Sequence, residues 1–295
     1  MKRKKDLRKN LYYTVNILFL IVSFIFFYDR FTGAFIKTDG VYEFNIAYML
    51  LSALLVGMIY FIKTVRLYII MLDTHIPFRR FVKVYIKSSF VSIILPFKTG
   101  DLFKMYCYGH ETEDYKIGIF SVLVERYFDT ISLLVILAVF TLSTGNGIVP
   151  VVILMALFLI LLTAFFISFP SINNYINRFC IVSTDSPGGI DVLRFLSGIN
   201  NWYMYAKKLV DQRVPLLLIM STFTWIAEYG VIKIFIYGLG KSTASDLFLV
   251  YINSVFSGSN DIYVTLYMSV SVLLFGILFV TIYISSYVGK VINTK

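Results

Sequence analysis

The sequence predicts an all-α integral membrane protein with about six transmembrane helices and two shorter re-entrant or interfacial helical segments. The first observation is composition: 58% of the 295 residues are hydrophobic and 15% are charged, whereas about a quarter of a soluble domain is charged. The second is a series of apolar stretches of about 20 residues, the length that a spanning helix needs. Together they exclude a soluble enzyme, a DNA-binding factor and a disulfide-rich secreted module.

Six stretches meet this length requirement. The second of them is apolar enough to continue as one long helix to Leu72. The first follows a basic N-terminus, but its apolar run is long and no small-residue cleavage site precedes Asp29, so we expect an uncleaved span. The predicted spans are Leu11–Tyr28, Phe44–Ile62, Ile117–Phe140, Ile148–Phe169, Pro215–Tyr237 and Ile262–Tyr287.

The distribution of Lys and Arg residues predicts how these spans are oriented in the membrane. If the N-terminus lies inside, the cytoplasmic segments are 1–10, 63–116, 170–213 and 288–295, and they hold 22 of the 27 Lys and Arg residues. Basic residues concentrate on the cytoplasmic side of membrane proteins. We therefore expect a multi-pass protein of the cell membrane with both termini in the cytoplasm.

Two apolar segments are too short to cross the bilayer comfortably. Residues 81–96 and 247–256 are stretches of about 10–16 residues that contain polar side chains, which is typical of re-entrant or interfacial elements. A helix lying flat at the membrane surface is an alternative for each. A full crossing by either segment would change the topology of everything downstream.

The cytoplasmic loop predicted at 170–213 contains a turn signal at 183–190, followed by an amphipathic pattern at 190–209. Such a pattern favours an interfacial helix resting on the headgroup layer. No segment outside the spans is long enough to bury a core of its own. We therefore expect residues 1–295 to form a single transmembrane domain.

Several kinds of site are disfavoured by the sequence. Cys107 and Cys180 map to the reducing cytoplasmic side and form no CxxC pair, so neither a disulfide nor a thiolate metal site is predicted. His75 and His110 are the two histidines and stand far apart in the sequence. There is also no glycine-rich phosphate loop. We therefore predict no metal and no cofactor.

Charged residues inside the predicted spans are the strongest functional signal, because one ionised side chain near the bilayer centre costs about 2.5–3.5 kcal/mol. The third span carries Glu125, Arg126 and Asp129, in which Arg126 is placed to pair with Asp129 and one carboxylate is left over. The fifth span carries Glu228 and Lys233, which are about 140° apart on a helix and so face different partners.

A helix break forms the second functional signal. Pro96 ends the incoming helix, Gly100 allows a tight turn, and Asp101 complements the start of the next helix. Backbone amides at a helix N-terminus bind anions, and Lys98 and Lys104 lie nearby to match a phosphate. The alternative is an ordinary helix–turn–helix at the cytoplasmic surface with solvated lysines.

The order Pro96-x-Lys98-x-Gly100-Asp101-x-x-Lys104 and then Glu125-Arg126-x-x-Asp129 resembles the membrane region of lysylphosphatidylglycerol synthases and their stand-alone, flippase-like relatives. The resemblance extends to Arg66, to residues 74–78 and, more weakly, to the TrpIleAlaGlu sequence that ends at Glu228. Lysines stand here at two positions where the family usually has arginine. Lysine keeps the positive charge but lacks the planar guanidinium group, which donates two hydrogen bonds to one phosphate.

The resemblance implies a translocase that moves an anionic lipid between leaflets, either an aminoacylated phospholipid or a polyprenyl-phosphate-linked sugar. In this hypothesis Lys98, Lys104 and the amides after Gly100 receive the lipid phosphate, and Asp101 complements the helix start. The residues expected to line the path are Glu125, Arg126, Asp129 and Glu228.

Two other functions stay open. One is a membrane-embedded glycosyl or lipid transferase that uses Asp101, Glu125 or Asp129, although no Asp-x-Asp pair or donor-binding domain is visible. The other is a non-catalytic accessory subunit of cell-envelope lipid or polysaccharide synthesis. We expect no enzymatic activity and no nucleic-acid partner. The expected partners are an anionic membrane lipid, a separate lipid-modifying enzyme and further copies of the chain.

Overall fold

The computed structural model describes residues 2–35, 45–95, 99–144, 150–183, 187–239, 248, 250–252 and 262–293. The regular elements in these ranges are helices, which confirms the predicted all-α class. The α-helices are α1 (Lys2–Phe35), α2 (Ile46–Ile70), α3 (Phe78–Ile94), α4 (Thr99–Glu111), α5 (Tyr115–Thr144), α6 (Pro150–Ser183), α7 (Pro187–Val210), α8 (Val214–Gly238) and α9 (Ile262–Asn293).

Five of the described helices are long and apolar enough to cross a membrane: α1, α2, α6, α8 and α9. Each overlaps one of the predicted spans. The remaining predicted span, Ile117–Phe140, lies within α5, which is 30 residues long. At 1.5 Å per residue that length suffices for a crossing, but the charged residues in α5 lower its hydropathy, so this sixth span stays a prediction.

α2 is one continuous helix that extends to Ile70. Its first turn is capped by Asn45, whose side-chain oxygen accepts a hydrogen bond from the Ala47 amide at 3.1 Å. The longer of the two predicted versions of this span is therefore confirmed. Lys63 and Arg66 therefore lie in this helix and not in a loop, while the membrane boundary predicted at residue 63 stays a prediction.

Helices α3 and α4 form the broken pair predicted around Pro96. α3 ends at Ile94, Leu95 is extended, as expected for a residue before proline, and α4 begins at Thr99. α3 packs against α1, α2, α4 and α9. The segment 81–95 is therefore packed against protein on several sides, and its placement as a re-entrant or an interfacial element stays a prediction.

α6 continues past the predicted boundary at Phe169. Pro170 lies inside this helix, which ends at Ser183. α7 confirms the amphipathic helix predicted at 190–209 and begins with a proline, the residue favoured at a first helical position. Residues 184–186, which belong to the turn signal at 183–190, lie outside the described residues.

The chain divides into two compact units. Unit 1 comprises Met1–Val122 and Ile226–Lys295, and unit 2 comprises Leu123–Trp225. Within unit 1, α3 is the central helix. Within unit 2, α6 packs against α7, and the Tyr203 ring lies 4.8 Å from the rings of Phe166 and Phe169. The predicted segment 247–256 is described at only four positions, which are 248 and 250–252.

Candidate functional site

Five of the eight predicted site residues are charged side chains that the fold buries almost completely. Their exposed fractions are 6% for Asp101, 2% for Lys104, 1% for Glu125, 6% for Asp129 and 4% for Glu228. Charged side chains are almost never this buried unless they are paired. We therefore expect each of these five charged groups to have specific partners in the folded protein.

Gly100 lies at the start of α4, where α4 crosses α3 closely. A Cβ on Gly100 would lie 2.2 Å from the Cα of Ser92, far inside contact distance. The prediction that Gly100 forms a tight turn is wrong, because the residue is helical and has an ordinary negative φ. Glycine is required here because it lets two helix backbones approach each other.

This close approach brings the first turn of α4 into hydrogen bonding with α3. The hydroxyl of Ser92 donates a hydrogen bond to Oδ1 of Asp101 at 3.2 Å. Asp101 is the acidic residue in the first turn of α4, as predicted, and so complements the positive end of the helix dipole. Lys98 lies outside the described residues.

Lys104 faces the same side of α4 as Asp101, since three residues separate them. Its ammonium nitrogen lies 4.7 Å from the ring centroid of Tyr85 in α3, the geometry of a cation–π contact. The alternative in which the lysines of this segment are solvated at a surface is therefore wrong for Lys104. Asp101 and Lys104 are therefore buried charged residues of the α3–α4 pair within unit 1.

The second charged group lies in unit 2, on α5. Nη1 of Arg126 is 3.5 Å from Oδ2 of Asp129, so the predicted pair forms, although at a long distance. The indole nitrogen of Trp225 donates a hydrogen bond to the backbone oxygen of Asp129 at 3.1 Å, which fixes this turn of α5 to α8. Together with Glu125 the group has a formal charge of −1, as the sequence predicted.

Glu228 has a different environment, within unit 1. Its Oε2 accepts a hydrogen bond from Lys63 of α2 at 2.8 Å, and its Oε1 accepts one from the Tyr251 hydroxyl at 2.7 Å. Both carboxylate oxygens are therefore engaged. Lys233 does not pair with Glu228, as predicted, and places its ammonium 4.6 Å from the centroid of the Tyr229 ring.

Helix geometry explains how Lys63 reaches Glu228. The amide of Asn45 donates a hydrogen bond to the Gly238 oxygen at 2.9 Å, so the start of α2 lies beside the end of α8. Side chains on a helix lean toward its N-terminus. Because α2 and α8 run in opposite directions, the side chains of Lys63 and Glu228 lean toward each other. The two charged groups therefore meet although the residues lie at different levels along the helix pair.

Sequence reasoning missed Lys63 and Tyr251. Lys63 was assigned to a cytoplasmic loop, and Tyr251 was one of 22 tyrosines. The available signal was the lack of a good partner for Glu228 within its own helix, which requires a cation from elsewhere in the chain. Arg66, one turn further along α2, is also fully buried, and it belongs to the positions on which the family resemblance rests.

Comparison with known proteins gives one family. Residues 15–259 match the family described as lysylphosphatidylglycerol synthase TM region. The match covers both predicted motifs and Glu228. Neither the curated proteins nor the solved structures include a match to this chain.

Proposed function

Because this chain belongs to the lysylphosphatidylglycerol synthase TM region family, we propose that it is a flippase-like translocase for an anionic lipid. Membership makes it a membrane protein of lipid or cell-envelope biosynthesis or of flippase type. The finer proposal is that its substrate is an aminoacylated phospholipid or a polyprenyl-phosphate-linked sugar. Its role is then transport between leaflets, without making or breaking bonds.

The observation that supports this proposal is buried charge in otherwise apolar helices. Asp101 and Lys104 in unit 1, and Glu125 and Asp129 in unit 2, are at most 6% exposed. A headgroup that crosses hydrocarbon needs polar groups to replace its water, since each unsatisfied charge costs several kcal/mol there. Buried groups of both signs suit a lipid that combines a phosphate with an amine or a sugar.

We assign different parts to these residues. Lys104, with the start of α4, is the proposed phosphate partner, and the carboxylates of α5 are the proposed partners of the amine or sugar. Glu228 is given no headgroup role, because Lys63 and Tyr251 already engage both of its oxygens. Its proposed role is to hold α2, α8 and the segment around residue 251 together.

The test is a reconstituted-liposome assay with fluorescent lipids that carry either an anionic or a zwitterionic headgroup. Wild type is expected to accelerate headgroup exposure of phosphatidylglycerol, lysylphosphatidylglycerol or a polyprenyl-phosphate sugar over phosphatidylcholine. Lys104→Ala is expected to slow this exposure, while Lys208→Gln on the exposed face of α7 leaves it unchanged. A wild-type protein that moves no lipid of the panel contradicts the proposal, and product formation from a sugar donor favours the transferase.

A further inference from the structure

α3 has a narrow accessible strip whose chemistry the proposed function does not use. Between Phe81 and Val91 this helix is buried except at Val82, Lys83 and Lys87. A strip of a membrane helix that faces acyl chains is apolar, so two lysines out of three accessible positions indicate a polar neighbour. Arg79 is exposed one turn earlier.

Arg79, Lys83 and Lys87 are spaced by four residues and therefore lie along one side of α3. Accessibility decreases along this line, from the exposed Arg79 to the half-buried Lys83 and Lys87. Within the described part of the chain, neither the Arg79 nor the Lys83 side chain forms a hydrogen bond or an ion pair. The three cations thus form a basic strip that leads from the start of α3 toward the interior of unit 1.

Lys87, at the inner end of the strip, is held by neutral groups. Its ammonium donates a hydrogen bond to the hydroxyl of Tyr12 in α1 and lies 4.5 Å from the centroid of that ring. The Phe103 ring of α4 lies 5.8 Å away, and His110 stacks on Tyr12 with ring centroids 3.8 Å apart. Burial lowers the pKa of His110, which disfavours its charged form beside Lys87.

An ammonium group has three protons to donate, and the Tyr12 hydroxyl accepts one of them. Among the described residues no carboxylate forms an ion pair with Lys87. The nearby acid on α4, Glu111, is paired with Arg80 instead. The Cys107 thiol lies within hydrogen-bond reach of the same ammonium. The inner end of the strip therefore combines a half-buried positive charge, one spare donor and aromatic walls.

We propose that Arg79, Lys83 and Lys87 bind the phosphate of an anionic phospholipid from the cytoplasmic leaflet, with Lys87 as the inner anchor. Basic pockets between transmembrane helices on the cytoplasmic side bind such headgroups. α1, which supplies Tyr12, begins with six basic residues between Lys2 and Lys9, and the positive-inside rule predicts that its start is on the cytoplasmic side. Exposed apolar side chains further along α1, such as Ile17 and Leu18, provide a surface for the acyl chains.

This site goes beyond the proposed function, because a lipid bound here is retained whether or not the protein moves lipids between leaflets. It also uses none of the residues assigned to the transport path. Binding and transport therefore fail independently. A protein that moves no lipid still retains phosphatidylglycerol if the site exists.

The test is native mass spectrometry of the full chain, released from nanodiscs that contain equal amounts of phosphatidylglycerol and phosphatidylcholine. Wild type is expected to retain phosphatidylglycerol preferentially. Lys83→Gln combined with Lys87→Gln is expected to reduce this retention about tenfold or more, since each basic residue contributes separately to anionic-lipid binding. The matched control is Lys207→Gln with Lys208→Gln, which removes two exposed lysines of α7 outside the strip and is expected to reduce retention much less.

Two further arms complete the test. Lys83→Arg with Lys87→Arg keeps both charges and is expected to retain the lipid, which separates loss of charge from loss of fold. Millimolar inorganic phosphate is expected not to displace the lipid. Equal retention by wild type and the double glutamine variant overturns the proposal, as does an equal loss in the α7 control or complete displacement by inorganic phosphate.

Discussion

The Lys63–Glu228 pair shows what one buried ion pair does in an apolar protein. The carboxylate side chain is 5% exposed and the ammonium side chain 20% exposed, at an atomic separation of 2.8 Å. Removing one partner of such a pair leaves an uncompensated charge, whereas replacing both with apolar groups is often neutral. The pair therefore makes the two positions interdependent.

We predict that Glu228→Met lowers the free energy of unfolding by about 3 kcal/mol, because Lys63 then stays buried without its counter-ion. The measurement is thermal unfolding of the purified protein in detergent. Lys63→Met combined with Glu228→Met is expected to recover most of this loss. Lys233→Met, which removes only a contact with the Tyr229 ring, is the matched control, and a loss in that control as large as in Glu228→Met contradicts the assignment.

Cys107 provides a chemical probe of the packing of α1 and α4. It is fully buried, and burial raises the pKa of its thiol to about 11, so the reactive thiolate is scarce at neutral pH. In a Cys180→Ser background we expect N-ethylmaleimide to leave Cys107 unmodified at pH 7.5 until detergent denaturation exposes it. Mass spectrometry measures the modification. Rapid labelling of the native protein contradicts the packing.

At the scale of elements, glycines set the closest helix contacts in unit 1. Besides the contact of Gly100 with Ser92, a Cβ on Gly118 of α5 would lie 2.3 Å from the backbone oxygen of Met105 and 2.4 Å from the amide nitrogen of Gly109. Both obstacles are backbone atoms, which move only with their helices. α3, α4 and the start of α5 are thus packed at a spacing that a methyl group would disrupt.

We predict that Gly100→Ala and Gly118→Ala each destabilise the protein by about 1–3 kcal/mol or more, the usual effect of overpacking. Gly198→Ala and Gly230→Ala are matched controls, because no atom of another described element lies within 4 Å of the added methyl group. These controls are expected to be neutral or to stabilise by about 1 kcal/mol through helix propensity. Thermal unfolding distinguishes the two classes, and equal effects in all four variants refute the close crossings.

Sequence reasoning predicted the helices better than their contacts. Hydropathy located each of the long apolar helices, because a spanning segment must satisfy its own backbone hydrogen bonds. It ended the fourth span at Phe169, whereas α6 continues through Pro170 to Ser183. It could not find Lys63 as the partner of Glu228. The two residues are 165 positions apart, and their pairing depends on how α2 and α8 lie relative to each other.

In the candidate site, too, contacts within one helix were predictable and contacts between helices were not. The pairing of Arg126 with Asp129 was predictable, since it follows from spacing along one helix. The role of Gly100 was not, because sequence cannot distinguish a glycine that permits a turn from one that permits a close crossing. Lys104 was expected to bind a lipid phosphate, with a solvated surface lysine as the alternative. Its contact with Tyr85 could not be predicted, because it forms only when α3 and α4 pair.

For the whole molecule, topology depends on α5. Five of the described helices qualify as spans by length and hydropathy, and a crossing by α5 would make six. An even number of crossings places the two termini on the same side, and an odd number places them on opposite sides. We predict that α5 crosses, with its charges on the inside of the protein, and that both termini are cytoplasmic.

Fusions to green fluorescent protein and to alkaline phosphatase measure this directly, because the first is fluorescent only in the cytoplasm and the second is active only outside it. We expect fluorescence and no phosphatase activity at both termini. A C-terminal phosphatase fusion with high activity contradicts the six-span arrangement. A phosphatase fusion after Gly145 is the internal control and is expected to be active.

We propose that the buried carboxylates of α5 form part of the path of an anionic lipid. The most direct measurement is the initial rate at which labelled lysylphosphatidylglycerol becomes exposed in the outer leaflet of liposomes, compared between wild type and Glu125→Gln. Loss of one charged contact worth about 1.4 kcal/mol in the barrier corresponds to a tenfold slower rate. We predict a decrease of at least about tenfold for Glu125→Gln at unchanged thermal stability, with Lys208→Gln at the wild-type rate. Equal rates for wild type and Glu125→Gln would contradict the account.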